Sequence, residues 1–328
     1  MTPPWEGKSK HFTRDFEAFA LTLMREMPVK KAGEILGETD QRLWRMLHLH
    51  VEEAYRKLEM DGVVWVGADE MNRRKGHNYL TVFADLKAKR VVFATPGKDA
   101  STWEAFADEL LKHNGHPKAI TQAAIDMSPA YIKGVKENLG NAQIVFDKFH
   151  VIGQVNDAVD QVRRAEAQES SLAKRWLAKT QWIWRKNPEN WTEKEALKTV
   201  ELEKQHLMTA TAFHMRLVLQ GIYECRHEGA ARKKFKEWCQ WVRRKCGQKK
   251  HALLEPMAKA ANMIESHLEG ILGHWKEGLT TAFLEGLNSL FSATKRKARG
   301  YRSVRNLITM LYFVAGKLRI PVIPVTTH

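Results

Sequence analysis

Cysteine is scarce in this sequence, and long apolar runs are missing. Only three cysteines occur, and none precedes Cys225. So few cysteines exclude a disulfide scaffold and favour a reducing cytoplasm. No apolar run approaches the about 18 residues that a membrane-spanning helix needs, and the opening MTPPWEGKSKHF lacks the apolar core of a secretory signal. We therefore expect a soluble cytoplasmic protein with no membrane partner.

The cysteines also lack the spacing that is typical of zinc ligands. Cys225, His227, Cys239 and Cys246 lie in a region with helical character, without the paired Cys-x-x-Cys spacing of a zinc site. We interpret these side chains as structural, and we expect no zinc in this chain.

Acidic residues run out towards the end of the chain. Glu285 is the last of them, and the 43 residues after it hold eight Lys or Arg. The net charge is +15 at pH 7, and the imbalance is uneven: the first 160 residues hold 22 basic and 23 acidic side chains, and the remainder holds 31 and 15. This asymmetry favours a polyanionic partner, nucleic acid above all, over a merely solvated surface.

Residues 1–60 predict a helical, helix-turn-helix-like DNA-binding region. Apolar spacing indicates helices across 13–58, including a short helix 29–36 that stops at Gly37 and a second helix over 40–48. Two helices joined by a short Gly-containing turn match a helix-turn-helix. The recognition helix would present Gln41, Arg42 and Arg45. The alternative is a plain helical hairpin serving as a linker or dimer surface, which the zero net charge of this region favours.

Residues 61–152 predict the first part of an α/β core. VVWVGADE, NYLTVFADL and RVVFATPG are β-rich, and two further strands, in KAITQAAID and AQIVFDKFHVI, alternate with two helices. The order β-β-β-α-β-α-β gives a ribonuclease-H-like fold, a five-stranded mixed sheet with helices on its faces. Residues 153–279 then form a large all-α insertion, and residues 280–328 complete the core with a helix and a basic tail.

Two aspartates follow strands that should be parallel neighbours. Asp69 ends the first strand and Asp126 the fourth, so both should lie at the carboxyl-end rim, where open α/β sheets bind ligands. Asp85 ends the second, antiparallel strand and should be a turn residue on the opposite rim. Adjacent carboxylates repel by about 4 kcal/mol at about 4 Å and an effective dielectric near 20. Hard divalent ions remove that repulsion, which favours Mg²⁺ or Mn²⁺, as a pair of ions about 4 Å apart.

A third acid would strengthen this hypothesis, and the sequence offers two candidates. Asp147 lies near the end of the fifth strand, in DKFH, and could instead be a structural aspartate that orients Lys148 or His150. Glu285 opens an apolar helix before the basic tail, and could instead be an ordinary early-helix glutamate favoured by the helix dipole. Spacing alone leaves both interpretations open.

Tryptophan is concentrated in the helical region 153–279, which holds seven of the eleven. Indole rings can stack on unpaired bases, but we expect most of these in the helical core. ARKKFKEWCQWVRRKCGQKK combines nine Lys or Arg with aromatic residues and is the best candidate of this region for facing DNA.

Three segments together resemble the ISL3 family of bacterial insertion-sequence transposases: VGADEMNRRKGHNYLTVFAD, IDMSPAYIKGVKENLGNAQIVFDKFHV and FLEGLNSLFSATKRKARGYRSVRN. The resemblance implies a DDE transposase with a ribonuclease-H-like core, in which Asp69, Asp126 and Glu285 are the catalytic and metal-binding acids. It also implies that the early helices are a helix-turn-helix and that 153–279 is the helical insertion before the last acid. Family members commonly begin with a Cys-rich zinc-binding module, which has no counterpart in these residues.

The resemblance further implies metal-dependent DNA cleavage and strand transfer of an insertion sequence. The partners would be double-stranded DNA, as element ends and target, and further copies of the chain, since two ends are handled together by a homodimer or higher multimer. A bacterial, nucleoid-associated location follows. The residues expected to hold phosphates in the tail are Lys295, Arg296, Lys297, Arg299, Arg302 and Arg305. Two alternatives stay open: a truncated copy that only binds DNA or inhibits, and a nuclease or resolvase of the same fold without strand transfer.

Overall fold

The computed structural model describes residues 6–9, 11–74, 78–276, 282–301 and 303–323. The chain divides into two compact units: unit 1 is Met1–Ile144 with Thr280–His328, and unit 2 is Val145–Leu279. Unit 2 is therefore inserted in the sequence of unit 1. The four regions drawn from the sequence, with limits at 60, 152 and 279, stay predictions. No helix among the described residues has the length and apolar character that crossing a bilayer requires.

Three helices open unit 1: α1 (Arg14–Glu26), α2 (Val29–Leu36) and α3 (Asp40–Arg56). Gly37 takes the left-handed conformation, with φ 67°, that ends α2 as predicted. Thr39 caps α3 by accepting a hydrogen bond from the Arg42 amide at 3.4 Å. Gly33 permits the tight turn between α2 and α3, because a Cβ there would lie 2.5 Å from the Glu38 carbonyl oxygen.

The sheet has five strands in the order β3-β2-β1-β4-β5. The strands are β1 (Trp65–Arg74), β2 (Asn78–Asp85), β3 (Arg90–Pro96), β4 (Gln122–Ile125) and β5 (Gln143–Phe146). β1 pairs antiparallel with β2 and parallel with β4, and β2 pairs antiparallel with β3. The predicted five-stranded mixed sheet, with its first and fourth strands as parallel neighbours, is confirmed.

Two strand limits differ from the prediction. Asp69 does not end β1, which continues to Arg74 because its hairpin partner keeps pairing with it back to Asn78. The fifth strand is shorter than predicted. It stops at Phe146, and the apolar residues that follow belong to a helix that Asp147 caps.

Two helices, α4 (Ser101–Lys112) and α5 (Pro129–Asn138), connect strands of the sheet and pack against each other. Phe83 of β2 stacks on Phe106 of α4, with 4.4 Å between ring centroids, and meets Trp103 edge-on at 4.9 Å. All three rings are fully buried. They therefore form an aromatic core between the sheet and α4.

From residue 148 to residue 276 every described element is helical, as the sequence predicted for the insertion. The α-helices are α6 (Lys148–Glu169), α7 (Ser171–Leu177), α8 (Gln181–Arg185), α9 (Glu193–Glu203), α10 (Met208–Ile222), α11 (Glu228–Cys246), α12 (Glu255–Ser266) and α13 (Leu268–Leu272). Trp184 and Trp238 are buried in the core of unit 2.

The chain returns to unit 1 with α14 (Ala282–Lys297) and α15 (Val304–Ala315). α15 packs on α3 and β3. The Tyr312 hydroxyl accepts a hydrogen bond from the Ala94 amide at 3.1 Å, and its ring lies 4.4 Å from that of Tyr55. The last described helix thus joins the early helices to the edge strand of the sheet.

Candidate active site

The two aspartates predicted on parallel strands follow the same pair of the sheet register. Gly67 of β1 pairs with Ala124 of β4, the last pair between these strands, and Asp69 and Asp126 each come two residues later. Asp126 directly follows the end of β4 at Ile125, so we expect the two positions to lie level at a rise of about 3.3 Å per residue. Asp69 is therefore not at the end of its own strand but beside the end of β4, at the rim that the metal hypothesis requires.

The charges of this rim act on one buried phenol. Tyr131 of α5 pairs through its hydroxyl with Thr81 Oγ1 at 2.7 Å. Burial raises the pKa of Tyr131; the bond to Thr81 opposes this change, and the carboxylates of Glu70, Asp126 and Asp69 add to it. Tyr131 is thus a neutral group within electrostatic reach of all three carboxylates.

Helix α14 is tied to β1 at two points. Asn288 donates from Nδ2 to Asp69 Oδ2, and Lys295 donates to the Asn72 carbonyl oxygen at 2.5 Å. The two contacts are seven residues apart on α14 and three residues apart on β1, and both separations correspond to about 10 Å. α14 therefore runs alongside β1 in the same direction. Sequence reasoning assigned no role to Asn288. The available signal was its place three residues after Glu285, on the same side of the helix.

Glu285 belongs to the first turn of α14, and its side chain lies outside the described residues. In the part of the chain that is described, no three His, Cys, Asp or Glu side chains form a group that could hold a metal ion. Asp69 and Asp126 are the two predicted ligands with described positions, and Glu285 as the third stays a prediction.

Backbone amides orient the aspartates at both rims of the sheet. Asp126 Oδ1 accepts from the Ser128 amide at 2.9 Å, which shapes the turn into α5. Asp85 Oδ1 accepts from the Lys87 and Ala88 amides, each at 3.0 Å, in the turn after β2. The prediction of Asp85 as a turn residue is confirmed.

Asp147, the rival third acid, belongs to unit 2. It is 5 % exposed and caps α6 by accepting from the Phe149 amide at 2.8 Å. His150 follows in the first turn of α6 and is half-buried. This geometry matches the structural alternative for Asp147, and an auxiliary role for Asp147 or His150 stays a prediction.

A cleft of about 2270 Å³ lies between α1–α3 and the α14–α15 segment, all within unit 1. The Lys and Arg side chains that line it are Lys8, Arg25, Lys30, Arg45, Lys297, Arg299 and Arg305. Arg45, a predicted DNA contact, is exposed. Arg42 is already engaged, because its guanidinium bonds Glu38 at 2.6 Å and lies 4.9 Å from the centroid of the Phe12 ring.

Two family models match this chain. The DDE model of the ISL3 family, described as a transposase, matches residues 66–311. The chain belongs to the ISL3 family of transposases. The helix-turn-helix domain of transposase family ISL3 matches residues 1–51, which decides the interpretation of α2 and α3 against a plain helical hairpin. With the sheet described above, this membership confirms the predicted ribonuclease-H-like α/β fold with an N-terminal helix-turn-helix.

Relatives of this ISL3-family chain include transposases of named insertion sequences. It is 27% identical over 251 residues to the transposase for insertion sequence element IS1001 of Bordetella parapertussis, covering 75% of this chain and 60% of that protein. It is 25% identical over 272 residues to the transposase for IS1557 of Mycobacterium tuberculosis, covering 75% and 58%. The chain thus spans about three fifths of the length of these relatives.

The recognition segment predicted for this ISL3-family chain, 40–48, is the first part of α3. The helix continues to Arg56, within the helical region predicted up to residue 58, and its later turns pack on α15. His48 pairs with Thr309 Oγ1 at 2.8 Å and with Asn306 Oδ1 at 3.0 Å. Burial lowers the pKa of His48. Between Arg45 and the exposed Arg56 at its end, α3 carries no Lys or Arg.

Three of the six basic tail residues are held within unit 1. Lys297 donates to the Glu26 carbonyl oxygen at 3.1 Å, and Arg305 pairs with Glu52 at 2.6 Å; Lys295 is bound to β1 as described above. The other three are Arg296 and Arg299, which are exposed, and Arg302, which lies outside the described residues. DNA contacts by these six residues stay predictions.

Proposed function

We propose that this chain is a DNA transposase that cuts DNA at the ends of an insertion sequence and joins the freed ends to target DNA. The observation that supports the proposal is the parallel pairing of β1 with β4, in which Asp69 and Asp126 each come two residues after the paired Gly67 and Ala124. Beside them runs α14, whose Asn288 binds Asp69 and whose first turn carries Glu285. Membership of a transposase family supports the same chemistry.

Mg²⁺ or Mn²⁺ is the cofactor that fits this donor set. Asp69 and Asp126 are half-buried and offer hard carboxylate oxygens. Together with Glu285 they would hold the metal, in a pair of ions. When bound, such ions stabilise the charge that develops on a phosphodiester and increase the acidity of a bound water.

The chain's own groups prepare the two aspartates. Asn288 donates to Asp69 Oδ2, the Glu70 amide donates to Asp69 Oδ1 at 2.6 Å, and the Ser128 amide donates to Asp126 Oδ1 at 2.9 Å, so hydrogen bonds orient both carboxylates. Because the pKa of Tyr131 is raised, its phenol stays protonated and adds no negative charge to the rim. The remaining carboxylate lone pairs are the ones that metal binding requires.

Two successive displacements at phosphorus follow. Water attacks the phosphodiester at the element end, the P–O3′ bond breaks, and a 3′-hydroxyl and a 5′-phosphate are released. That hydroxyl then attacks a target phosphodiester, forming a new P–O bond while the target 3′-oxygen leaves. The second step exchanges one ester for another, so no external energy source is needed.

Double-stranded DNA is the proposed partner. The helix-turn-helix region would contact an element end through Gln41 and Arg45 of α3, and exposed Arg296 and Arg299 would contact phosphates, which position DNA without reading its sequence. Because two ends must be handled together, the active form would be a dimer or higher multimer of this chain.

The proposal is tested by incubating the purified chain with supercoiled plasmid and Mg²⁺, and scoring nicked and joined products. We expect Asp69→Asn and Glu285→Gln to reduce nicking by about 10³-fold or more, the effect of losing several kcal/mol of transition-state stabilisation. The matched controls are Asp108→Asn and Glu104→Gln, both exposed on α4. They should change the rate less than twofold.

Each other outcome identifies an alternative. A Glu285→Gln protein that nicks at the wild-type rate contradicts the assignment of the third acid. Nicking without joined products supports a nuclease or resolvase. Salt-dependent DNA binding without any nicking by the wild-type chain supports a DNA-binding or inhibitory protein.

A further inference from the structure

The side chain of Trp182 is unusually exposed for a tryptophan. It lies on α8 of unit 2 with 65 % of its surface open, the largest value among the described large apolar side chains. Trp184, two residues later, is 2 % exposed. Residues two apart on a helix point to nearly opposite sides, so burial of Trp184 directs Trp182 outward.

The helix that carries Trp182 is held rigidly. Trp184 donates from Nε1 to Thr180 Oγ1 at 3.1 Å, and Trp191 donates from Nε1 to the Ile183 carbonyl oxygen at 3.0 Å. These contacts come from both sides of Trp182 in the sequence. The exposed indole is thus presented by a fixed backbone, which lowers the entropy cost of binding a ligand there.

A cation lies over one face of this indole. The Arg185 guanidinium carbon is 6.0 Å from the Trp182 ring centroid, and Asp157 holds the same guanidinium at 2.6 Å. An anchored cation on one face polarises the ring and leaves the other face for a flat partner. The bases of nucleic acids are such partners, because each has a π-face.

The sequence segment that contains Trp182 is basic. Residues 170–188 contain five Lys or Arg and three Trp, with no Asp or Glu. Lys174, Arg175 and Lys179 are exposed, and no ion pair to these three is found among the described residues. Exposed cations in the same short segment as an open indole are a combination that can bind a single-stranded backbone and its bases together.

The basic stretch on α11, which the sequence favoured for DNA, differs chiefly in its aromatic residues. Two of its cations are paired, Arg232 with Glu228 at 2.6 Å and with Glu269, and Arg243 with Glu265 at 2.5 Å, while others such as Lys234 and Lys236 are exposed. Its rings Phe235 and Trp238 are buried. Composition alone therefore does not distinguish a core helix from a binding surface.

We infer that the α7–α8 surface of unit 2 binds unpaired DNA, with a base stacked on Trp182 and with Lys174, Arg175 and Lys179 on the backbone. The choice of DNA as the ligand rests on the proposed function. Transposition exposes unpaired bases at cleaved ends, and this surface would hold them.

The test measures binding of the full-length chain to a labelled oligo(dT) strand and to a duplex of equal length, both in EDTA. Trp182→Ala should weaken single-strand binding by roughly tenfold, within the 5- to 150-fold expected from one stacked base. Duplex affinity should change less than twofold. Trp182→Phe should keep most of the affinity, since a stacking ring remains. The control Leu197→Ala removes a side chain of nearly equal exposure, 64 % on α9, and should have no effect.

Salt titration separates stacking from charge. Trp182→Ala should leave the slope of log K against log salt unchanged, and Lys179→Gln should reduce it by about 0.7, the value for one phosphate of a single strand. Unchanged single-strand affinity of Trp182→Ala overturns the inference, and so does equal loss for single strand and duplex. A change in oligomeric state without a change in DNA binding assigns Trp182 to a protein contact instead. Because no metal is present, these outcomes do not depend on whether the chain cuts DNA.

Discussion

Unit 1 and unit 2 differ in what positions the groups discussed above. In unit 1 the pairing of β1 with β4 sets the positions of Asp69 and Asp126, and the close approach at Gly33 brings α2 against α3. In unit 2 every described element from residue 148 on is helical, and side-chain pairs such as Arg243 and Glu265 join these helices. We therefore expect single substitutions to have large effects in unit 1 and small, distributed effects in unit 2.

The largest expected effect is at the rim of unit 1. Asp126→Asn should reduce DNA nicking by about 10³-fold or more, because one charged ligand of the proposed metal site is lost. Its DNA affinity in EDTA should stay within twofold of wild type. Trp182→Ala in unit 2 should show the reverse, with duplex nicking retained and single-strand affinity reduced. If Asp126→Asn and Trp182→Ala each lost both nicking and single-strand affinity, the expected difference between unit 1 and unit 2 would be contradicted.

A backbone change in each unit gives the next largest effect. Gly33→Ala should destabilise the α2–α3 pair by about 1–3 kcal/mol, since its Cβ would meet the Glu38 carbonyl oxygen at 2.5 Å. Gly153→Ala on α6 meets nothing within 4 Å and should stabilise that helix by about 1 kcal/mol. Hydrogen exchange, read separately for the two segments, measures both. Equal protection changes of the same sign would contradict the comparison.

Buried histidines should make the free energy of unfolding moderately dependent on pH. Burial lowers the pKa of His48; the Asn306 hydrogen bond and Glu52 oppose this change, and Arg305 adds to it. In the unfolded chain this histidine takes up a proton below about pH 6.5, whereas in the folded chain it remains neutral to lower pH. The free energy of unfolding should therefore fall as the pH is lowered from 7.5 to 5.5. The slope for one group is at most about 1.4 kcal/mol per pH unit.

The variant His48→Gln removes this titrating group and tests that slope. Denaturant unfolding of the variant should depend less on pH over this range than that of the wild-type chain. The matched change in unit 2 is His274→Gln, because burial also lowers the pKa of His274. Unchanged pH dependence in both variants would exclude these two histidines as its source.

The smallest expected effect is on α11. Arg232→Gln should lower DNA affinity less than twofold and leave stability almost unchanged, because this guanidinium near the surface is already paired with Glu228 and Glu269. Lys179→Gln, which removes an unpaired cation of the same unit, should lower single-strand affinity more. If Arg232→Gln lost more single-strand affinity than Lys179→Gln, the DNA-binding surface of unit 2 would be assigned to α11 instead.

Much of unit 1 could be predicted from sequence because its signals are local. Gly37 and the β-rich runs mark element ends and types, and the strand order follows from the β-β-β-α-β pattern. The errors have physical causes. β1 runs past Asp69 because pairing with β2 extends it, and the residues after Phe146 turn helical because Asp147 caps them.

The site was only partly predictable, because it depends on contacts between distant residues. The expected level placement of Asp69 and Asp126 follows from strand order, which sequence can indicate. The bond from Asn288 to Asp69 joins residues 219 positions apart and depends on how α14 docks, which no local pattern reports. The exposure of Trp182 could have been predicted in part, because Trp182 and Trp184 are two residues apart and point to nearly opposite sides of a helix, so that burial of one exposes the other.

The division of unit 1 across the sequence has a consequence for synthesis of the protein. Asp69 and Asp126 leave the ribosome before the 135 residues of unit 2, and α14 follows only after them. At about 5–20 residues per second, this delay lasts roughly ten seconds. During that interval the nascent chain can already display its helix-turn-helix while the carboxylate rim still lacks Asn288 and Glu285. If the chain cuts DNA as proposed, cutting has to wait until α14 is made, and α3 gains its packing on α15 only after that.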